Sequence, residues 1–176
     1  MIKTDRYVEC SAAGMKYRLI PVTDEIIRCM IAKDEVKTEQ ESLIIEKKEY
    51  PQVPFEAAEA DGVVTVKTSA VQAELNLKTG GITWKHADGS VWLEQNKADL
   101  TRIDVVHYNT GGEKPIINRV KTVDGERNFI QNLKAEKVRD GYRARVFFDW
   151  EEDEEIHGLG QAEEGIYNYR EHTQYL

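Results

Sequence analysis

Apolar and polar residues alternate with a period of two along much of this chain. Val71, Ala73, Leu75 and Leu77 interleave with Gln72, Glu74, Asn76 and Lys78. That is the pattern of a strand with one face in a core and one in water, not of a helix, whose period is ~3.6 residues. Thr79-Gly80-Gly81 follows. Glycine accepts the positive φ of a tight reversal, so the chain turns back into a strand whose inner face is Ile82, Trp84 and His86. Asp88-Gly89 marks a second reversal, into Val91-Trp92-Leu93-Glu94. The spacing predicts a three-stranded meander. Further on, Asp140-Gly141 divides a strand over residues 129–138 from one in which Tyr142, Ala144, Val146, Phe148 and Trp150 alternate with Arg143, Arg145, Phe147 and Asp149. This pair reads as another hairpin.

Shorter strands are predicted at residues 17–22, 26–31, 43–46 and 63–67. Pro21 has no N–H to give to a ladder, which places the first of them on a sheet edge or ends it there. No segment carries an i, i+3, i+4, i+7 apolar stripe through three turns. Short strands punctuated by Gly and Asp turns predict an all-β fold, an antiparallel β-sandwich. Two long loops are expected, over residues 47–61 with Pro51 and Pro54, and over residues 109–121 with Gly111, Gly112 and Pro115.

Composition narrows the setting. At 176 residues and 20.2 kDa the chain is long enough for one domain with a real core, since ~70% of the unfolded surface is buried at this size. A formal charge of −8 and a pI near 5.1 argue against nucleic acid or an anionic membrane as partner, because both need a basic face. Cys10 and Cys29 lie far apart without Cys-x-x-Cys spacing and read as free thiols of a reducing compartment. The first residues lack a signal peptide's apolar stretch, and no run approaches the ~20 apolar residues of a spanning helix. A cytoplasmic location is therefore expected.

The motifs that carry chemistry elsewhere are weak here. The acidic run from Asp149 to Glu155 lacks the Asp-x-Asp-x-Asp-Gly spacing of a calcium loop and reads as a solvated connection, so no metal is expected. Gly158-Leu159-Gly160 is not a phosphate cradle, because Glu163 stands where a third glycine belongs and a second glutamate follows it. His86, His107, His157 and His172 have no metal-ligand spacing. His86 is expected to sit satisfied in the core, and His107 at a strand end on the surface. No serine or cysteine stands in a nucleophile elbow. No cofactor and no catalytic residue is predicted.

Residues 158–176 are different in character. Three tyrosines, a histidine and an arginine crowd a glycine-punctuated segment, and nothing after them covers those side chains, so the chain reads as a piece of a larger protein. Phe147-Phe148-Asp149-Trp150, an acidic run, and Glu155-Ile156-His157-Gly158-Leu159-Gly160-Gln161 resemble the junction in glycoside hydrolase family 31 where an N-terminal β-sandwich meets the catalytic barrel. Arg28 resembles the arginine that an early strand carries in that family, and residues 71–94 resemble its meander. His157 departs from the pattern, since the family often has an aromatic residue before Gly-Leu-Gly.

The resemblance implies a galactose-mutarotase-like supersandwich over residues 1–157. Residues 158–176 would then begin a segment leading to a (β/α)8 barrel that holds both catalytic aspartates. It implies a retaining α-glycosidase, α-glucosidase-like, as the parent enzyme, with this piece alone inactive. Its partners would be its own barrel and an α-linked saccharide, with self-association of the isolated piece. Tyr167, Asn168, Tyr169, Arg170 and His172 are the implied substrate-cleft or barrel-interface residues. Two other classes remain open at this stage. A stand-alone carbohydrate-binding module would stack sugars on Trp84 or Trp92, and a mutarotase-like epimerase would use His86 or His107 with Glu94.

Overall fold

The computed structural model describes residues 1–36, 50–158 and 165–172. Among them there is no helix, and every paired strand for which a register is resolved runs antiparallel. The expected strand at 43–46 lies outside the described residues. Two compact units emerge, residues 1–98 with 146–176, and residues 99–145.

The first unit holds a four-stranded sheet of β1 (Ile2–Lys3), β2 (Val8–Ala12), β3 (Met15–Thr23) and β4 (Ile26–Ala32), ordered as in the sequence. Val8, Cys10 and Ala12 alternate inward, as do Met15, Tyr17 and Leu19. The expectation for Pro21 needs correcting. β3 is an inner strand, flanked by β2 and β4. Proline is tolerated there because the last β2 partner is Val8, opposite Leu19, and because the register with β4 shifts between Pro21 and Thr23. Beyond β2 no ladder bond is lost.

The second sheet begins with β5 (Glu56–Ala60), β6 (Val63–Lys67), β7 (Val71–Asn76), β8 (Ile82–His86) and β9 (Val91–Asn109). β5 occupies part of the stretch expected to be a loop over 47–61. The meander stands as the alternation predicts. Cross-strand register puts Leu75 beside Ile82 and Ala73 beside Trp84 on one face, with Glu74 beside Thr83 and Thr83 beside Glu94 on the other. Val64, Val66, Ala73 and Leu75 are wholly buried, and with Tyr17 and Leu19 they form the sandwich core. Burial of such side chains contributes roughly 1.5 to 3 kcal/mol each for the larger ones. The Ala13 N–H donates to the Leu77 carbonyl at 3.1 Å, and the Thr68 hydroxyl donates to the Asp24 carbonyl, tying the two sheets at their turns.

Gly80 and Gly81 are required by this arrangement. Gly80 has φ +74°, and a Cβ on Gly81 would lie 2.4 Å from the Asn96 carbonyl oxygen. The first is a matter of backbone hand and the second of close approach by β9.

Burial fades along the inner face of β8. Ile82 is buried, Trp84 half-buried and His86 exposed. His86 thus keeps the predicted face but is not a core histidine, because it stands at the strand end, where its ring meets the Trp92 ring edge-on at 5.0 Å between centroids.

The second unit corrects the sequence reading more deeply. β9 does not stop at Glu94 but runs through Asn109, and Asp140-Gly141 is no hairpin turn. Both residues lie inside one strand, β12 (Lys134–Phe148), which neighbours β9. Asp140 is held by Lys137 at 2.9 Å and by Arg102. A Cβ on Gly141 would come within 2.6 Å of Val105 Cγ2. The glycine marks a close side-chain approach, which the sequence alone presents in the same letters as a turn. The reversal occurs instead at Val123-Asp124, between β10 (Ile117–Thr122) and β11 (Gly125–Ile130). The loop expected over 109–121 ends where β10 begins. His107 is exposed near the end of β9, as expected. No residue from 99 to 145 is buried, so this unit is held by ladders and cross-strand pairs such as Lys137 with Asp104 at 2.7 Å.

Candidate functional site

The segment that follows β12 closes on itself around backbone groups. The acidic run is exposed or half-exposed, a solvated connection. Against it lies the described part of the tail, residues 165–172. Asn168 Oδ1 accepts from the Ile156 N–H at 3.2 Å and from the Arg170 N–H at 3.0 Å. The Tyr169 N–H donates to the Ile156 carbonyl at 2.8 Å. The Arg170 guanidinium donates to the carbonyls of Glu152 and Glu154, the latter at 2.9 Å. Each link satisfies a main-chain group that lies in no ladder.

The five predicted site residues therefore divide. Asn168 and Arg170 spend their polar groups on this segment's own backbone. Tyr169 is buried, and the His172 ring stands edge-on to it at 6.5 Å. Tyr167, 81% exposed, and His172 are the two left facing water. Leu159, Gly160 and Gln161 of the junction motif lie outside the described residues.

His157, which the sequence singled out only as a departure, is drawn into the same arrangement. Its Nδ1 lies 2.9 Å from the Tyr167 carbonyl and its Nε2 2.9 Å from the Glu155 carboxylate. Hydrogen bonding to that carbonyl, then to that carboxylate, raises the imidazole above its ordinary value. The Tyr167 ring tilts over it at 4.5 Å.

A second feature escaped the sequence reading. On the outer face of the second sheet, Glu74, Thr83, Glu94, Asn96 and Asp149 line an open cleft of about 310 Å³. Glu74 pairs with Lys85 at 2.7 Å, and the Asn96 amide donates to Asp149 at 3.0 Å. Cross-strand register was the missing signal, since the outward alternation already marked Glu74. The cleft offers hydrogen bonds to a polar solute, and neither a histidine nor an aromatic ring lines it. His86 is not brought to Glu94: His86 shares the face of Val71, and Glu94 that of Glu74. Among the described residues no His, Cys, Asp or Glu cluster has metal-site geometry.

No protein-family model and no curated protein matches the sequence. Among solved structures, a GH31 alpha-xylosidase from Xanthomonas citri superimposes on the chain with a TM-score of 0.64 at 21% identity. The match covers 96% of this chain and 16% of that enzyme, so the chain spans a small part of the neighbour's length. At that identity the likeness is one of fold.

Proposed function

We propose that this chain is the N-terminal β-sandwich of a glycoside hydrolase family 31 α-glycosidase, of galactose-mutarotase-like type. It would support a (β/α)8 catalytic barrel and wall one side of the substrate cleft. The observation that carries this reading is the likeness in fold over nearly the whole chain to one small portion of an α-xylosidase. The junction-like run at Glu155 to Gln161, found in the sequence independently of that likeness, supports it.

Retaining glycoside hydrolysis needs two carboxyl groups about 5 to 5.5 Å apart across the scissile bond, one as nucleophile and one as acid. In the sheet cleft Glu74 is paired with Lys85 and Asp149 accepts from the Asn96 amide, which favours a structural over a catalytic role for them. The catalytic carboxylates belong on the barrel, and the chain contributes position and shape. Tyr167 and His172 then meet the barrel or an α-linked sugar, while Asn168 and Arg170 hold the segment in place. A stand-alone sugar-binding module is less well supported, since Trp84 is half-buried on the inner face, which leaves Trp92, T-shaped against His86, as a single exposed ring.

The test is an assay of aryl α-glucosides and aryl α-xylosides. The chain alone is expected to show no turnover, whereas a longer polypeptide from the same reading frame hydrolyses one of them with retention, read by NMR of the released anomer. Turnover by the chain alone that vanishes in Glu94→Gln or Asp149→Asn overturns the reading.

A further inference from the structure

We propose that His157 is a pH-dependent clamp: as imidazolium it fastens the segment carrying Tyr167 to Arg170 onto residues 152–157, and as neutral imidazole it loosens it. The geometry demands two donors. Both ring nitrogens face acceptors at 2.9 Å, the Tyr167 carbonyl on one side and the Glu155 carboxylate on the other. A neutral imidazole has one N–H and satisfies one of them, whereas the imidazolium satisfies both. Loss of the proton sets a nitrogen lone pair against an oxygen lone pair, either across the contact that joins the two segments or at Glu155.

Among the described residues, the groups in contact with His157 come from two segments. From its own segment comes the Glu155 carboxylate, and from residues 165–172 come the Tyr167 carbonyl and ring. Arg170 donates to the Glu152 and Glu154 carbonyls, and the Glu154 carboxylate accepts from the Glu151 N–H. The links through Asn168 and the Tyr169 N–H do not titrate, so the histidine biases a contact that other groups also support.

The sign follows from the raised folded-state value. The contribution is fully present below the ordinary imidazole value of ~6.5 and is lost as pH rises through the raised one. His157 is exposed, so solvent screens the effect, and about a two- to fivefold change in closure is expected.

NMR titration of the intact chain tests this without any variant. The His157 ring protons should titrate above ~6.5, and the hydrogen-exchange protection factor of the Tyr169 amide should fall about two- to fivefold through the same midpoint. Glu155→Gln should lower that midpoint. His157→Phe, which keeps a ring against Tyr167, should leave protection independent of pH at the wild-type high-pH level. A His157 midpoint at or below ~6.5 overturns the proposal. So does Tyr169 protection that ignores the titration, or His157→Phe protection equal to the wild-type low-pH level. None of these outcomes depends on the glycosidase reading.

Discussion

The phenol of Tyr17, in the middle of the first sheet, donates to the carbonyl of Gly80 in a turn of the second at 3.1 Å. Both partners are buried, and they lie 63 positions apart in the chain. Burial holds the Tyr17 hydroxyl protonated, pushing it up to about 12, so it stays a donor across the ordinary pH range.

Tyr17→Phe keeps the ring in the core and strands the Gly80 carbonyl. Leaving a buried acceptor unmet costs about 1 to 3 kcal/mol. The expected result is a lower urea midpoint with an unchanged slope, measured by tryptophan fluorescence; an unchanged midpoint would show that water replaces the phenol.

Gly80→Ala attacks the same contact from the other side. Its Cβ would lie 2.5 Å from the Tyr17 hydroxyl oxygen, at a φ of +74°. Backbone strain and the displaced hydroxyl together should cost at least about 1 to 3 kcal/mol. Because the two residues share one contact, the double variant with Tyr17→Phe should be less destabilised than the sum of the singles. Strict additivity would mean that the turn's strain alone sets the penalty.

Trp84→Ala should destabilise by about 2 kcal/mol, below the 3 to 5 kcal/mol of a fully buried ring, because Trp84 is only half-buried beside Ala73. Thermal unfolding measures it, and a variant as stable as the parent would mean that the inner-face assignment of β8 is inverted.

Asp140 should titrate far below its ordinary value. Hydrogen bonds from Lys137 and then Arg102 hold its carboxyl down to about 2. A depressed folded value means that its contribution is present above the unfolded value of ~3.9 and is lost as pH falls through about 2. Side-chain carboxyl NMR reads this directly. In Arg102→Ala the midpoint should rise while remaining below the ordinary value, since Lys137 is left; no movement would show that the guanidinium is not bound in solution.

Local pattern made the meander legible. Val71, Ala73 and Leu75 carry their own period, and Gly80 and Gly89 sit where the backbone needs positive φ. Those are properties of neighbours within a few residues. β2 carried a faint form of the same signal in Val8, Cys10 and Ala12, too short to separate from a loop. β5, with its run of alanines and glutamates, carried none, and only its ladder with β6 makes it a strand.

The sequence by itself determined the period, and with it the all-β antiparallel class and the inner and outer faces of β7 and β8. Tertiary structure alone decided which partner each strand met and how deeply a face was covered. It made Asp140-Gly141 a strand interior under Val105, left His86 in water on the face that buries Ile82, and turned His157 from an irregular motif letter into a link between two segments. The reason is physical. A side chain's direction follows from backbone torsions set nearby, whereas its burial and hydrogen-bond partner depend on residues that only folding brings close.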